Sequence, residues 1–461
     1  MKKIIKEELV LSTSVLKWIV LAAFIGILVG FSTTVFLKTL DWATRATSGH
    51  ARYYLLLPFA FLLSTLLVRY FAPDAEGHGT EKVIEAVHKQ AGKIKFSVVP
   101  VKILATVVTI AGGGSAGKEG PSAQIGAGLS SFFSDLFRFD DTDRKKFVIC
   151  GISAGFAAVF GTPVAGAIFG IEVLFIGGML YNVLLPSIIA GITSCYTASV
   201  LGMNYLYYPA SCSFDIVNIF SNNLMLAVIV SGFFFGFCSL VFIETMEFFK
   251  KAAGKIRLDK SLKALIGGIC LTALALVFSG RYLGLGIDTI HSSLVLPGFR
   301  IVWYAFLIKI LFTSITLNFG GSGGVVTPIF FIGATSGVLF STMSGTDSNF
   351  FAAIGLVAVL AGAANTPIAA TIMAAELFGM DMFVYACVAC VISFFITGHR
   401  SIYPSQILNI KKSTSIMVES GTEVEHLKVS LKKREKSLIG LCSAIAGRII
   451  KKIKDEHDAK Q

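Results

Sequence analysis

The sequence predicts an all-α polytopic membrane protein made of two inverted-topology repeats of tilted and broken helices. Three observations indicate this fold: an apolar composition, apolar stretches that recur along the chain, and a repeated glycine-rich motif. Of the 461 residues, 54% are hydrophobic and only 15% are charged, and the mean hydropathy is +0.75. In soluble domains about a quarter of the residues are charged. The composition therefore excludes an ordinary soluble domain.

Apolar stretches that suit membrane helices recur along the chain. A helix that crosses a bilayer needs about 20 mostly apolar residues. Eight predicted helices span residues 18–40, 54–68, 98–110, 182–201, 224–243, 262–278, 301–317 and 382–396. The first is longer than the core of a signal peptide, and no small-residue cleavage pattern follows it, so it is predicted to be a retained helix.

The placement of the net charge of +12 indicates a membrane topology rather than nucleic-acid binding. Lys2, Lys3 and Lys6 precede the first span, and the tail after Asn409 holds more basic than acidic residues. Lys and Arg favour the cytoplasmic side, so both termini are predicted to be cytoplasmic in a multi-pass protein of the cell membrane. The tail is either a solvated segment or a short helix, at 438–453, that lies against anionic lipid.

The eight cysteines and seven histidines indicate neither a disulfide framework nor a metal site. Cys387 and Cys390 have the spacing of a redox pair, but they lie inside an apolar span, where a free thiol packs as a small hydrophobe. The histidines lack the spacing of metal ligands. No metal and no other cofactor is predicted.

The motif Gly113–Pro121, read Gly-Gly-Ser-Ala-Gly-Lys-Glu-Gly-Pro, returns as Gly-Gly-Ser-Gly-Gly-Val-Val-Thr-Pro at 320–328. An Ile-Gly-Ala triplet follows both copies. A second pair, Thr-Pro-Val-Ala with a later Glu at 162–172, matches Thr-Pro-Ile-Ala with a later Glu at 366–376. Two ordered matches at nearly one offset predict two homologous halves, and an odd number of helices in each half would invert one relative to the other.

Four segments are predicted from this repeat and from the charged ends. They are a cytoplasmic N-terminus at 1–10, a first repeat at 11–180, a second repeat at 181–412 and a basic cytoplasmic tail at 413–461.

Each glycine-rich motif predicts a helix that begins inside the membrane. Pro is favoured in the first turn of a helix, and the preceding glycines let the backbone leave helical geometry. Non-helical backbone at membrane depth is tolerated only inside protein or along an aqueous cavity. A helix that starts there presents free N–H groups and a partial positive charge, which suits an anion. The alternative is an ordinary glycine and proline kink, but duplication of the motif favours an anion site.

Four motifs carry a resemblance to a known family. The segment 117–121, Gly-Lys-Glu-Gly-Pro, resembles the Gly-Lys/Arg-Glu-Gly-Pro signature of the CLC family of chloride channels and anion/proton antiporters. The segments 324–328 and 77–81 occupy the places of its Gly-x-Phe-x-Pro and Gly-Ser-Gly-Ile-Pro motifs, and Tyr403 that of its anion-coordinating tyrosine. The resemblance runs from about residue 10 to about residue 412. It implies a homodimer with one pore in each subunit.

The resemblance implies a site at specific residues. Glu119 matches the gating glutamate, whose carboxylate competes with the anion when ionised, withdraws when protonated, and can carry a proton. The implied anion-binding residues are His78, Gly79, Thr80, Gly120, Val325, Val326, Thr327 and Tyr403. Lys118 either balances the charge of Glu119 or extends outward to water.

The chain departs from the family pattern at two positions. His78 stands in place of a serine that coordinates the anion, so either the imidazole faces the ion or the backbone of Gly79 and Thr80 binds it while the imidazole points away. Val173 stands where chloride/proton exchangers have an internal glutamate. The preceding Glu172 and its counterpart Glu376 are expected to have structural roles at helix ends.

The expected function is transmembrane transport of a small anion, with chloride as the expected ion, through a channel or a proton-linked exchanger gated by Glu119. The alternative is a fluoride/proton antiporter, which the Val326-Thr327-Pro328 segment favours. A third hypothesis is an intramembrane enzyme that uses Glu119 and His78. No nucleophile–base pair is recognisable, so the chain is not expected to be an enzyme. The expected partners are the anion, protons and membrane lipid.

Overall fold

A computed structural model describes residues 2–50, 52–205, 207–208 and 223–431. These residues form two successive sets of eight α-helices. The first set is α1 (Lys2–Ser48), α2 (Leu57–Phe71), α3 (Gly79–Lys89), α4 (Val98–Ala111), α5 (Glu119–Leu136), α6 (Asp141–Phe160), α7 (Pro163–Glu172) and α8 (Leu184–Val200). The second set is α9 (Leu224–Lys255), α10 (Lys260–Phe278), α11 (Ile287–Val295), α12 (Ala305–Asn318), α13 (Val326–Ser344), α14 (Ser348–Ala364), α15 (Pro367–Phe378) and α16 (Phe383–Thr397).

The helices confirm the predicted all-α membrane fold. Each of the eight predicted apolar stretches lies on a helix, although α12 begins four residues later than its predicted stretch. Seven helices among the described residues are long and apolar enough to cross a membrane. Five further apolar helices have only 10–17 residues, as expected for broken helices, and these are α4, α7, α12, α14 and α15. One of the long seven, α13, has 83% of its most apolar window buried inside the protein, so its apolar side chains form core.

The two sets of helices correspond to each other in order, and α5 and α13 begin at the two copies of the glycine-rich motif. Lys102 on α4 and Lys309 on α12 also correspond. Both are completely buried, and both donate to backbone carbonyls in the loop before a short helix, which is α3 for Lys102 and α11 for Lys309. The boundary between the repeats at residue 180 stays a prediction.

A reciprocal contact joins α7 and α15, the short helices that follow the second repeated motif. Glu172 at the end of α7 accepts hydrogen bonds from the N–H groups of Ile368 and Ala369 in the first turn of α15, at 3.1 and 2.8 Å. Glu376 accepts hydrogen bonds in the same way from Val164 and Ala165 of α7, at 3.0 and 2.9 Å. Each carboxylate therefore caps the N-terminus of the other helix, which agrees with the expected helix-end roles.

The described part of the C-terminal tail packs against the helical body. Two-residue strands pair in parallel as β1 (Phe175–Ile176) with β2 (Ile407–Leu408), and antiparallel as β3 (Ile416–Met417) with β4 (Ser430–Leu431). Glu423 and Glu425 of the tail form ion pairs with Lys89 of α3 and Lys250 of α9. The predicted lipid-facing helix at 438–453 lies outside the described residues.

Candidate anion-binding site

Three helix N-termini meet at the centre of the protein. Helix α3 begins after His78, α5 begins at Glu119, and α13 begins after Val325. The loops before α5 and α13 are joined by reciprocal backbone hydrogen bonds of 2.7 Å between Gly117 and Gly324, in antiparallel register. His78 forms a parallel bridge with the neighbouring Gly323. Antiparallel pairing of repeat-related segments is the arrangement that an inverted repeat produces.

Close approach of the backbones requires glycine at this point. A Cβ atom at Gly120 would lie 3.0 Å from Cα of Gly324 and 3.5 Å from the backbone N of Gly79. A Cβ atom at Gly324 would lie 2.7 Å from the backbone N of Gly120. The glycines therefore bring the first turns of α3, α5 and α13 together, and several N–H groups with the positive ends of three helix dipoles share one small region.

The carboxylate of Glu119 lies at the N-terminus of α13. Its side chain is 1% exposed, and Oε2 accepts a hydrogen bond of 3.1 Å from the backbone N–H of Thr327. The Thr327 hydroxyl donates a second, short hydrogen bond to Oε1. The Glu119 carboxylate therefore occupies hydrogen-bond donors at the beginning of α13, where the repeated motif predicts an anion site.

His78 and Tyr403 meet at the first turn of α3. Their rings lie 5.8 Å apart between centroids, and Tyr403 is completely buried. His78 Nδ1 and the Tyr403 hydroxyl are both buried, and neither has a hydrogen-bond partner among the described residues. Buried polar atoms are almost always paired, so these two unpaired atoms indicate that a ligand or water binds in this region. The imidazole packs toward Tyr403, and that it faces the anion stays a prediction.

Two polar residues of this region, Gln124 and Glu81, were not predicted. Gln124, on α5, donates to the Asp74 carbonyl at 3.1 Å, and its buried Oε1 has no partner among the described residues. Glu81, in the first turn of α3, accepts hydrogen bonds from the backbone N–H and the hydroxyl of Ser405, at 3.0 and 2.6 Å. The sequence could have indicated Gln124, because it lies one helical turn after Gly120. For Glu81 the sequence signal was that it stands where the family motif has proline.

The buried amine of Lys102 holds the loop that precedes α3. The amine of Lys102 is within hydrogen-bonding distance of the Ala75 and Gly77 carbonyls, at 3.1 and 2.5 Å, just before α3 begins. These bonds satisfy the amine and hold the loop that presents the helix N-terminus. A single Lys in an apolar span does not indicate which carbonyl groups it contacts, so the sequence did not predict these hydrogen bonds.

Two cavities approach the site, and their lining residues do not overlap. The tail-side cavity, about 790 Å³, is lined by His78, Glu81 and residues of α9 and the C-terminal tail. The opposite cavity, about 930 Å³, is lined by Lys118 and residues of α1 and α11. Lys118 therefore extends outward to a cavity, which is one of its two predicted roles. The arrangement is a central site of hydrogen-bond donors with an approach from each side.

The family model described as "Voltage gated chloride channel" matches residues 60–398. The chain belongs to this family. The match covers the helices that carry His78, Glu119 and Thr327, and it confirms the resemblance of the motifs to the CLC family. Members of the family are channels and transporters, which gives no support to the hypothesis of an intramembrane enzyme.

Relatives and solved structures agree with membership of the CLC family. A "Chloride/fluoride channel protein" of Pseudomonas syringae pv. tomato is 35% identical over 408 residues, which cover 87% of this chain and 88% of the relative. An "H(+)/Cl(-) exchange transporter ClcA" of Klebsiella pneumoniae is 26% identical over 389 residues, or 78% and 80% of the two chains. The crystal structure of a CLC-type fluoride/proton antiporter matches with a TM-score of 0.80 at 29% identity, covering 85% of this chain and 98% of that one. The protein is therefore a CLC-type anion transporter of a membrane.

Proposed function

We propose that the protein exchanges fluoride for protons across the membrane, with Glu119 as both the gate and the proton carrier. The observation that carries this proposal is the position of the Glu119 carboxylate on the first turn of α13. The donors that hold it are those that would otherwise bind an anion. A fixed carboxylate and a mobile anion that use the same donors exclude one another.

The comparisons favour fluoride over the chloride that was expected from the sequence. Both the Pseudomonas relative and the matching antiporter have fluoride in their names. Local chemistry agrees, because the region offers the Thr327 hydroxyl and backbone N–H groups as compact donors. A small anion loses much hydration energy on entering a protein, and short charge-assisted hydrogen bonds are the strongest replacement.

The exchange cycle follows from one titrating carboxylate. Ionised Glu119 occupies the N-terminus of α13 and excludes the anion. Protonation removes its charge and weakens its hold on the Thr327 donors, so that it withdraws and fluoride enters. Release of the proton reverses the step. Since binding of the proton and of fluoride favour the same open state, the two movements are coupled.

The orientation and assembly complete the proposal. The tail-side cavity faces the cytoplasm if both termini are cytoplasmic, as the basic ends predict. The protein acts as a homodimer with a complete pathway in each subunit. Transport of chloride is the second candidate, because chloride exchangers are also among the relatives.

Flux from liposomes tests the proposal. Purified protein is reconstituted with fluoride or chloride inside, and anion efflux and proton movement are recorded together. We expect fluoride efflux to drive protons uphill and chloride efflux to be much slower. Fast anion efflux without proton movement would refute exchange, and equal rates for the two ions would refute the choice of fluoride.

The Glu119→Gln substitution tests the gate. The amide keeps the size of the side chain but cannot release a proton or compete as an anion. We expect proton movement to be lost and any remaining fluoride flux to become independent of pH. The matched control is Glu247→Gln, at a carboxylate that pairs with Lys251 on α9, and it should behave as the wild type. Unchanged flux and pH response in Glu119→Gln would contradict the assignment.

A further inference from the structure

We propose that Glu81 is the second proton-transfer residue, the one that exchanges protons between the tail-side cavity and Glu119. This inference rests on the proposed exchange of fluoride for protons. It assigns a function to a carboxylate that lies in the first turn of α3, where the family motif has proline.

Glu81 differs from the other acidic residues of the tail-side cavity in having no basic partner within the described part of the chain. Six glutamates line the cavity. Five of them form ion pairs, which are Glu76 with Lys260, Glu85 with Lys82, Glu244 with Arg400, Glu247 with Lys251 and Glu425 with Lys250. A carboxylate held by a cation stays ionised and is a poor carrier of protons. Among these six glutamates, Glu81 instead accepts hydrogen bonds from neutral groups, the N–H and the hydroxyl of Ser405.

The contacts of Glu81 leave one oxygen free for a proton. Oε1 accepts from the backbone N–H and the hydroxyl of Ser405, at 3.0 and 2.6 Å. Oε2 is buried and has no hydrogen-bond partner among the described residues. A protonated carboxyl has an O–H to donate and an ionised one has only acceptors, so an unpaired buried oxygen suits a group that alternates between the two forms.

Glu81 also lies next to the anion site. Its backbone N–H donates to the carbonyl of His78 at 3.0 Å, and Ser405 follows Tyr403 by two residues. The Tyr403 ring lies 5.8 Å from the His78 ring between centroids. His78 Nδ1 and the Tyr403 hydroxyl have no hydrogen-bond partner among the described residues. Together with a water molecule, they would supply hydrogen-bond donors and acceptors for a proton that moves between Glu119 and Glu81.

The position that carries an internal glutamate in chloride/proton exchangers cannot carry a proton in this chain. Val173 is completely buried and apolar, and its carbonyl accepts a hydrogen bond from Gln406 at 2.7 Å. The preceding Glu172 has both oxygens occupied by N–H groups of α15. Glu81, by contrast, lines the tail-side cavity together with His78.

The charged groups around Glu81 come from several elements. Lys82, Glu85 and Lys89 lie on α3, and Glu244, Glu247, Lys250 and Lys251 lie on α9. His399 and Arg400 follow α16, Glu425 belongs to the tail, and Glu76 and His78 precede α3. The four lysines and Arg400 are engaged by carboxylates. These pairs leave Glu81 facing a cavity that is close to neutral, from which protons reach it without a cationic barrier.

The proton step is balanced. Glu119 in its protonated form gives up its proton, by way of water and the polar groups at His78 and Tyr403, to the ionised Glu81. Glu119 is then a carboxylate on α13 again, and Glu81 is a neutral carboxyl. Release of that proton to water in the tail-side cavity restores the Glu81 carboxylate. No other atom or charge changes, and the reverse sequence moves a proton the other way.

The test is the ratio of protons to fluoride in liposome flux for Glu81→Gln. A positioned acid or base contributes about 10²-fold or more to a proton transfer, so we expect the proton flux to fall by at least about tenfold while fluoride still moves. Glu81→Asp, which keeps a carboxyl group, should recover part of the coupling. The matched control is Glu85→Gln, one turn along the same helix and paired with Lys82 at 2.9 Å, which should keep the wild-type ratio.

The outcomes separate this inference from the proposed function. If the wild type moves fluoride without protons, the exchange mechanism is wrong, and the inference is wrong with it. If the wild type couples the two ions and Glu81→Gln keeps the same ratio, only the role of Glu81 is wrong. If Glu81→Gln and Glu85→Gln lose coupling equally, the effect comes from the charge of the cavity, and the inference is overturned. Persistent fluoride flux in Glu81→Gln shows that the variant is folded.

Discussion

Thr327 makes two hydrogen bonds that connect the second repeat to Glu119 of the first. The family resemblance placed it in an anion site, near the end of the second repeated motif and directly before Pro328. In the structure its hydroxyl and its backbone N–H both donate to Glu119, a residue 208 positions away. One residue thus supplies two donors to the same carboxylate, and the proposed exchange requires that fluoride take over these donors when Glu119 withdraws.

Thr327→Val is predicted to weaken fluoride transport. The substitution keeps the branched shape and the backbone N–H but removes the hydroxyl donor. A hydrogen bond to a charged group contributes about 1.5–3 kcal/mol, so the preference for fluoride over chloride should fall by about tenfold or more. The measurement is the ratio of fluoride to chloride efflux from liposomes. Thr335→Val, which removes a hydroxyl that donates to the Phe331 carbonyl of the same helix, should keep the wild-type ratio.

Retention of the full preference by Thr327→Val would show that the hydroxyl does not contact the transported ion. The backbone N–H groups of α13 would then carry the selectivity. Because the shape of the side chain is preserved, the comparison with Thr335→Val separates that outcome from general damage to the helix.

At the scale of elements, the short helices α7 and α15 depend on each other. Each begins with a Thr-Pro pair inside an apolar region, so its first N–H groups need partners within the protein. Glu172 and Glu376 provide them across the contact between the repeats. The carboxylates are equivalent in the repeat and make equivalent bonds, so this contact is structural at both ends.

Glu172→Gln is predicted to lower stability and to leave the coupling of protons to fluoride unchanged. In glutamine an NH2 donor replaces one of the two oxygens that accept from α15, so one N–H group would face a donor. Loss of a helix cap costs about 0.5–2 kcal/mol, which should appear as a lower melting temperature in detergent. Glu244→Gln, at an exposed ion pair with Arg400, should melt close to the wild type.

An opposite pattern would revise the role of Glu172. If Glu172→Gln melted like the wild type and lost proton movement, the carboxylate would be a proton carrier rather than a cap. Glu376→Gln provides the internal comparison, since its bonds to Val164 and Ala165 are the repeat-related counterpart.

At the scale of the whole molecule, two repeats of opposite orientation build one site. The first contributes the N-termini of α3 and α5, and the second contributes the N-terminus of α13 and Tyr403. A cavity approaches from each side. These helix beginnings belong to a single chain, so in the proposed homodimer each subunit would hold a pathway of its own.

A linked dimer with one inactive subunit is predicted to keep half of the transport. Two copies are joined in tandem, and one carries Glu119→Gln. If each subunit acts independently, the tandem should show about half of the proton-coupled fluoride flux of the tandem with two wild-type copies, since the intact copy contains every group of the site. Tandems with the substitution in the first or the second copy should agree. Loss of all coupled flux would indicate a pathway shared between subunits.

Local sequence determined the helices and the places where they break. Apolar stretches, Gly-rich runs and Pro at the first turn act over a few residues, so they predicted the beginnings of α5 and α13 and the membrane fold. The duplication predicted that these beginnings are equivalent, and the resemblance placed Glu119 and Tyr403 beside them. In the structure Glu119 contacts Thr327 and His78 lies against Tyr403, and that these residues bind an anion stays a prediction.

Tertiary structure alone decided the contacts between distant residues. No local pattern reveals that Thr327 holds Glu119, that His78 faces Tyr403, or that Glu81 lacks the basic partner which its neighbours have. Each of these facts depends on how helices from different parts of the chain pack, because the partners are brought together by the fold and not by sequence spacing. The sequence therefore determined where the donors are, and packing decided which groups share them.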